Sequence, residues 1–408
     1  MVTISKLNSI QLENIKQILT LRYSKNLKGL SHEINSEHFQ TKEIGNPENF
    51  IEKSIRNFIH TKLETDSKKL GISLSSGIDS TLILALLRDE CPSSEIESVS
   101  VKFSNSDDET KNSERISEKF QTNHHVLEIN NFLQELPAAI SIVKQPFWDL
   151  HWYYLVKKIK RHTDVFFSGD GGDELFGGYT FRYRKFLELT KSTSTIEEKI
   201  NAYLQCHERD WVSDQQNVFH PNLQFSWKEI HDILRPYFDN SLPRLSQVLL
   251  ADYNGKLTHN MQPLYSKIHE YFAVKNYTPL LSEELINFSC ILSNNHKFDI
   301  KNNSGKITLK KILKKFNVEQ LLSSKKQGFS VNTINMWYDY GQKIFCNYFD
   351  KSRLIEDNII NPDWIKKYFP RNNLDVTYVN KFLGLLALEI WYRLFIVKDL
   401  KSDEKLDV

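Results

Sequence analysis

The chain has few cysteines, and none of them is arranged as a metal ligand or as a disulfide partner. The four are Cys91, Cys206, Cys290 and Cys346, with no Cys-x-x-Cys pair and no histidine pair beside them. Disulfide-rich secreted domains and zinc modules carry closely spaced cysteines. The spacing therefore excludes a disulfide framework and a cysteine-based zinc site, and it indicates the reduced thiols of a cytoplasmic protein.

A large net charge and long apolar segments are also absent. Lys and Arg number 53 against 51 Asp and Glu, for a net charge of +2, so composition gives no signal for a nucleic-acid or anionic membrane partner. No uncharged apolar run reaches about 18 residues, the length of a transmembrane helix. The N-terminus has no apolar segment typical of a signal peptide. We therefore expect a soluble cytoplasmic protein of two or three structural units.

A serine-rich loop, SSGIDS at residues 75–80, separates two apolar segments. The alternating residues 70–74 predict a strand, and the Leu- and Ala-rich residues 81–88 predict a helix. A loop at a helix N-terminus collects unpaired N–H groups and the positive end of the helix dipole, which suits a phosphate. The alternative is an ordinary turn that caps the helix.

The side chains of this loop fit the same interpretation. Ser75, Ser76 and Ser80 offer hydroxyl donors, and Gly77 permits close approach of the backbone to a ligand. Asp79 lies among these donors, where a carboxylate is best explained as a ligand for Mg²⁺ on the phosphates. The loop lacks the Gly-Lys-Ser/Thr ending of the common P-loop.

Strand and helix patterns alternate through residues 61–185. Further strands are predicted at residues 96–103, 124–129 and 164–168, with helices at residues 108–120, 132–143 and 150–161. This alternation predicts an α/β fold, in which a parallel sheet carries helices on both faces and binds its ligand at the carboxyl ends of the strands. Helical spacing dominates residues 186–408, which we expect to form a mainly helical part, and residues 1–60 are an N-terminal extension of unassigned role.

A second loop, SGDGGDELFGGY at residues 168–179, directly follows the predicted strand at residues 164–168. It holds five glycines and three acids in twelve residues. The glycines permit close approach of a ligand, and Asp170, Asp173 and Glu174 repel one another unless a cation is present. The loop therefore predicts a second part of the same Mg²⁺ site, against the alternative of a solvated acidic turn.

The two loops together resemble those of the synthetase domain of asparagine synthetase and its relatives, the PP-loop ATP pyrophosphatases with an adenine nucleotide alpha hydrolase-like fold. The resemblance covers roughly residues 60–400 and extends to VSVKF at residues 99–103, to Asn123-His124-His125 and to KKQGF at residues 325–329. The first loop departs from the family pattern, because Ser76 replaces a glycine.

The resemblance implies ATP and Mg²⁺ as ligands and assigns a role to each matching residue. The phosphate-binding residues would be Ser75, Ser76, Gly77, Asp79 and Ser80, and Asp79 with Asp173 would be the paired Mg²⁺ ligands. The backbone at Val101 would hold adenine, and Gly169, Asp170 and Gly171 would line the junction of nucleotide and acceptor. Lys326 would place its ammonium against the charge that develops on the phosphates.

The implied reaction is amide formation, with asparagine synthesis from aspartate as the leading candidate. A carboxylate would attack the α-phosphate of ATP to give an acyl-adenylate and pyrophosphate, and an amine would then displace AMP. Alternatives are amidation or cyclisation of another carboxylate, as in β-lactam synthetases, lasso-peptide cyclases or sugar-acid amidotransferases. A tRNA-modifying PP-loop enzyme and a non-catalytic nucleotide-binding subunit are further alternatives.

Two departures from the family pattern bear on the acceptor and on the nitrogen donor. The segment that should read acidic-x-Arg-x-Pro-Phe-Leu-Asp has Lys275 for the acid, Tyr277 for the arginine and Ser282 for the final aspartate. Val2 follows Met1 where glutamine-hydrolysing members expose a cysteine. We therefore expect the chain to use ammonia or an amine, with a separate glutaminase subunit as one possible source, and not to hydrolyse glutamine itself.

Overall fold

The computed structural model describes residues 6–27, 33–63, 69–103, 110–323 and 331–407. Its central element is a parallel sheet of five strands in the order β3-β2-β1-β4-β5. The strands are β1 (Lys69–Ser73), β2 (Glu95–Phe103), β3 (Asn123–Ile129), β4 (Val165–Phe167) and β5 (Lys275–Tyr277). Helices cover both faces, so the predicted fold class is confirmed.

Alternation along the strands divides the core between the two faces of the sheet. In β4, Phe166 belongs to one hydrophobic cluster and its neighbours Val165 and Phe167 to the other, because successive side chains of a strand point to opposite faces. The first cluster takes side chains from the helices Leu136–Val143, His151–Ile159, Gln262–Phe272 and Val376–Tyr392, and the second from the helices Pro47–Leu63 and Ile78–Glu90. Burial on both faces explains why the strands read as nearly continuous apolar runs.

Helices α1 to α8 lie in the described part of the chain up to residue 189, just past the second loop. They are α1 (Ser9–Leu21), α2 (Pro47–Leu63), α3 (Ile78–Glu90), α4 (Thr110–Lys119), α5 (Leu136–Val143), α6 (His151–Ile159), α7 (Gly172–Phe176) and α8 (Thr180–Leu189). The predicted strand–helix alternation of residues 70–168 is present, with bounds shifted by a few residues.

The rest of the chain is mainly helical. Its helices are α9 (Ile196–Cys206), α10 (Trp227–Phe238), α11 (Arg244–Asp252), α12 (Gln262–Phe272), α13 (Glu283–Ile291), α14 (Ile307–Leu313), α15 (Thr333–Met336), α16 (Gln342–Phe349), α17 (Arg353–Glu356), α18 (Pro362–Tyr368) and α19 (Val376–Tyr392). Three π-helical segments follow α11, α15 and α19: Tyr253–Met261, Trp337–Gly341 and Arg393–Val397. No helix of the described ranges combines the length and the hydropathy needed to cross a membrane.

The helical part returns to the sheet at two places that matter for the site. Strand β5 pairs with β4 through Phe167↔Tyr277; sequence reasoning missed this strand, because three residues show no alternation and their partner is over a hundred positions away. A small antiparallel hairpin, β6 (Phe298–Asp299) and β7 (Ser304–Gly305), directly precedes α14. It places residue 306 beside the second loop.

Candidate functional site

The first loop joins β1 to α3 at the carboxyl edge of the sheet. The Ser80 hydroxyl donates to the backbone oxygen of Ser75 at 2.9 Å and lies 3.0 Å from the Ser75 hydroxyl. The N–H of Gly77 donates to the Ser75 hydroxyl at 3.2 Å. Gly77 is the residue that precedes α3, and no side chain caps the helix there. The N–H groups of the first turn of α3 are therefore available to an anion.

Ser76 is the member of this loop best suited to contact a ligand. It is 1% exposed, and its hydroxyl has no hydrogen-bond partner among the described residues. A buried polar group without a partner is costly, and a bound ligand would supply one. Ser76 is not among the residues with positive φ, so replacing the glycine of the family pattern introduces no left-handed strain.

The glycines of the second loop pack against the carboxylate of Asp79. A Cβ atom at Gly169 would lie 2.7 Å from Asp79 Cβ, and one at Gly172 would lie 2.3 Å from Asp79 Oδ1. At Gly178 it would lie 1.7 Å from Asp173 Oδ1. Any side chain at these positions would displace one of the two carboxylates. The structure thus brings Asp79 and Asp173 together, as the sequence predicted.

Lys306 lies between the two aspartates. Its Nζ is 2.7 Å from Asp173 Oδ1 and also forms an ion pair with Asp79 Oδ2. The lysine side chain is 7% exposed, against 17% for Asp79 and 20% for Asp173. Burial lowers the pKa of Lys306, but the two carboxylates outweigh it and raise the pKa above its ordinary value. A cation is therefore already bound at the point where the two carboxylates meet.

Lys306 was not predicted from the sequence, because the signal for it lies in its backbone conformation, which only the structure shows. The residue precedes α14 with φ of 56°, in the left-handed region, and its N–H donates to the Phe176 oxygen at 3.0 Å. Lysine is unfavourable at a helix N-terminus, because its charge opposes the dipole there. Such a residue, held in a sparsely populated conformation, is more typical of a functional site than of packing.

Asp170 and Gly171 lie in the second loop, where Gly171 packs against Leu281 in the segment that follows β5. Burial is the largest cause of a pKa of about 7 for Asp170; a 3.0 Å hydrogen bond from the Ser168 hydroxyl opposes the rise, and the Asp79 and Asp173 charges add to it. Gly171 has φ of 89°, and a Cβ there would lie 2.2 Å from Leu281 Cδ2. Asp170 is therefore a carboxyl group that exchanges its proton near neutral pH.

Val101 lies on the part of β2 that extends beyond its pairing with β1. The ladder between β1 and β2 ends at Ser73↔Val99, so β2 continues beyond it through Val101 to Phe103. The Ser100 hydroxyl donates to the Leu74 oxygen at 2.6 Å and joins this extension to the first loop. The assignment of adenine to Val101 stays a prediction.

Two of the sequence predictions concern residues outside the described ranges, Lys326 and Val2. Ser323, the last described residue before Lys326, donates its N–H to the Ser76 oxygen at 3.0 Å. The chain thus reaches the first loop three positions before Lys326. The catalytic role of Lys326 remains a prediction.

The residues that depart from the family pattern have local structural roles. Lys275 is exposed at the amino end of β5, paired with Val165 at the start of β4, whereas the aspartate pair lies beyond the carboxyl end of the sheet. The Tyr277 ring packs at 5.3 Å from Phe167. Ser282 caps α13 by accepting a hydrogen bond from Leu285. The charge inversion at Lys275 therefore lies away from the aspartate pair.

Comparison with known proteins identifies a family and several relatives of this chain. The family profile described as asparagine synthase matches residues 51–393. A putative glutamine-hydrolysing asparagine synthetase of Methanocaldococcus jannaschii is 30% identical over 149 residues, 33% of this chain and 29% of that protein. Asparagine synthetase 1 of Bacillus subtilis, also named as glutamine-hydrolysing, is 29% identical over 157 residues, 36% of this chain and 24% of that protein.

The matched segments thus span less than a third of the length of these curated relatives. Among solved structures, NMN synthetase from Francisella tularensis aligns with a TM-score of 0.27 and 14% identity, over 58% of this chain and 99% of that one. The family profile covers most of the present chain, including both loops, β5 and Lys306. The chain therefore belongs to the asparagine synthase family.

Proposed function

We propose that this chain is an ATP-dependent amide-forming ligase that activates a carboxylate as an acyl-adenylate, with aspartate as the leading acceptor. The observation that carries the proposal is the convergence of Asp79 and Asp173 on one cation. The pair lies beside the uncapped N-terminus of α3 and the unpartnered Ser76 hydroxyl. Donors for an anion and carboxylates for a cation, side by side at the carboxyl edge of a parallel sheet, suit a metal-bound phosphate chain.

The donor set fits magnesium, because carboxylate oxygens are the ligands that Mg²⁺ prefers. Bound there, Mg²⁺ would neutralise charge on the phosphates and on the departing pyrophosphate. In the structure Lys306 contacts both carboxylates. Metal binding would therefore require the Lys306 ammonium to move or to share its partners.

The reaction divides into two substitutions. In the first, an oxygen of the acceptor carboxylate attacks the α-phosphorus of ATP, and the bond to the β-phosphate breaks to release pyrophosphate. In the second, an amine nitrogen attacks the acyl carbon, AMP leaves and the nitrogen loses a proton. The chain's contribution is alignment and electrostatic stabilisation, and Asp170, with its pKa near 7, could accept that proton.

A second candidate is amidation or cyclisation of a less polar carboxylate. Leu281 packs against Gly171, next to Asp170, so an apolar side chain borders the region proposed for the acceptor. Tyr277 and Ser282, in place of the arginine and aspartate of the family pattern, remove two charges from the same segment. Both features favour an acceptor with fewer charges than aspartate.

The test is a panel of carboxylates assayed with Mg·ATP and ammonium. We expect one acceptor class to yield pyrophosphate, AMP and amide in equal amounts. Asp89→Asn is the matched control for Asp79→Asn, because Asp89 lies on the same helix but is about half exposed and pairs with Arg56. Release of ADP and phosphate, or carboxylate-dependent turnover that survives Asp79→Asn, would contradict the proposal.

The nitrogen donor is tested separately, with glutamine in place of ammonium. We propose that the chain uses ammonia or an amine, delivered in the cell by a separate glutaminase or carried by the acceptor itself. Incubation with glutamine alone should give no glutamate above background. Substantial glutamate, abolished by replacing one of the four cysteines with alanine, would contradict this part.

A further inference from the structure

A second cluster of ionisable residues lies at the opposite, amino edge of the same sheet. It contains Glu97 near the start of β2, His125 on β3 and His162 in the turn between α6 and β4. One ligand atom from each residue lies within 4.8 Å of the others. Within the described ranges, no other three histidine, cysteine or acidic side chains converge so closely.

The two oxygens of the Glu97 carboxylate face different partners. Glu97 is 2% exposed. Its Oε1 accepts hydrogen bonds from Lys69 Nζ at 3.0 Å and from Asn123 Nδ2 at 3.1 Å. Its Oε2 faces the two imidazoles, at 2.5 Å from His125 Nε2 and 3.7 Å from His162 Nδ1. Metal-binding carboxylates are commonly held in this way, with one oxygen fixed by neighbours and the other directed at the ion.

The two imidazoles present nitrogen atoms to that same oxygen. Their rings stack with centroids 3.9 Å apart and planes at 28°, which places the two edges side by side. Two protonated rings would repel each other at this distance. The Nε2 atom of His162 is buried without a hydrogen-bond partner among the described residues. The two rings therefore do not both carry a charge. A bound metal ion would take the place of the proton that His125 Nε2 shares with Glu97 and would meet imidazole lone pairs, the usual ligands of a transition metal.

We propose that Glu97, His125 and His162 form a binding site for one divalent transition-metal ion, with Zn²⁺ as the best match. Two imidazole nitrogens and one carboxylate oxygen are ligands typical of zinc. Tetrahedral bonds of about 2.0–2.1 Å place ligand atoms about 3.3 Å apart, a separation that the observed 2.5 and 3.7 Å bracket. Each histidine side chain is 24% exposed, so solvent can supply the fourth ligand.

The position of the site indicates a structural role. The three ligands come from β2, β3 and the turn before β4, segments more than sixty positions apart in the chain at their extremes. A metal ion would tie these segments together at the edge of the sheet that lies opposite the proposed nucleotide site. Binding to the folded chain alone raises stability by mass action, so the ion should stabilise the fold and leave the amide-forming reaction unchanged.

The test uses full-length protein freed of metal with a chelator and titrated with Co²⁺. We expect one equivalent to bind with the intense visible absorption of four-coordinate cobalt, and Zn²⁺ to displace it. His162→Ala and Glu97→Gln should each weaken the affinity by more than about 100-fold, beyond the loss typical of changing a group that only orients a metal ligand. His60→Ala, an exposed histidine on α2, and Lys69→Gln should retain stoichiometric binding.

A second measurement guards against variants that fail to fold. Zn²⁺ should raise the melting temperature of the wild type and of His60→Ala, but not that of His162→Ala, whose partly exposed ring is the least connected of the three. Excess Mg²⁺ should not reproduce the shift. Absence of one-to-one binding in the wild type, or cobalt and zinc binding that survives His162→Ala unchanged, would overturn the proposal.

Discussion

The two edges of the central sheet both hold acids that contact a cationic or imidazole side chain, but the two sites are built differently. At the carboxyl edge, Asp79 and Asp173 lie on loops that follow strands, and their cation, Lys306, comes from a segment far along the chain. At the amino edge, Glu97 lies within a strand, and its nearest partners Lys69 and His125 lie on the adjacent strands. Loops beyond the strand ends can bend around a ligand, whereas strand residues are fixed by the ladder.

The largest expected effect is the loss of turnover on changing the aspartate pair. Asp79→Asn and Asp173→Asn each remove a carboxylate that the proposed metal site requires, so we expect the rate of pyrophosphate release to fall by several orders of magnitude. The measurement is pyrophosphate release under saturating Mg·ATP with an accepted carboxylate. Near wild-type release by either variant, with its melting temperature unchanged, would show that the carboxyl edge does not hold the metal.

The next effect concerns the cation between the carboxylates. Lys306→Met leaves two partly buried acids uncompensated. Breaking a fully buried ion pair costs about 3–5 kcal/mol of unfolding free energy, and we expect a smaller loss here because both carboxylates are partly exposed. We expect this loss in metal-free buffer, with Mg²⁺ or Mn²⁺ stabilising the variant more than the wild type, because the divalent ion can replace the ammonium. Chemical denaturation with and without the ion measures both.

The matched control for this variant is Lys310→Met. Lys310 lies one turn further along α14 and donates to the Ser304 hydroxyl at 2.7 Å, away from the aspartates. It should keep the wild-type response to divalent ions. If Mn²⁺ stabilised both variants and the wild type equally, Lys306 would not lie at the metal site.

A smaller effect follows from the raised pKa of Asp170. The folded chain keeps a proton on this carboxyl up to a pH of about 7, where the unfolded chain has already released it, so its contribution to stability is present below about pH 4 and is lost as the pH rises through 7. Asp170→Asn stays neutral at every pH. It should therefore exceed the wild type in stability by about 1–3 kcal/mol at pH 8, allowing for partial exposure.

The difference between the two proteins should vanish near pH 4, where Asp170 of the wild type is also neutral. Denaturant unfolding of the nucleotide-free proteins across this range measures it. A stability difference that is constant with pH would show that Asp170 does not titrate there.

The smallest effect is expected at the amino edge. Lys275→Glu restores the charge of the family pattern at an exposed position, and exposed substitutions usually change stability by no more than about 0.5 kcal/mol. We expect kcat/KM for the acceptor to stay within about twofold of the wild type. A large gain for aspartate would mean that residue 275 selects the acceptor from its exposed position.

The sequence predicted the parts of this molecule that depend on local pattern. The alternation around residues 70–103 and the composition of residues 168–179 predicted the parallel sheet and a site at its carboxyl edge. The pairing of Asp79 with Asp173 was implied by the resemblance to the asparagine synthetase family. Ser76 replaces a glycine of the family pattern, and its backbone shows no positive φ.

The parts that were missed depend on contacts between distant segments. Strand β5 exists because it pairs with β4, and the charge environment of Lys306 exists only after the β6–β7 hairpin has packed on the second loop. The cluster of Glu97, His125 and His162 likewise has no spacing signature, because three separate elements supply its members. Non-local pairing of this kind leaves little trace in a single sequence.

The most direct test of the proposed nucleotide site is equilibrium binding of a non-hydrolysable ATP analogue, α,β-methylene-ATP, measured by calorimetry with and without Mg²⁺. This measurement needs no knowledge of the acceptor. The account predicts Mg²⁺-dependent binding of one analogue per chain, lost in Asp79→Asn and Asp173→Asn and retained in Lys275→Glu. Binding that is absent from the wild type, or that persists unchanged in both aspartate variants, would contradict it.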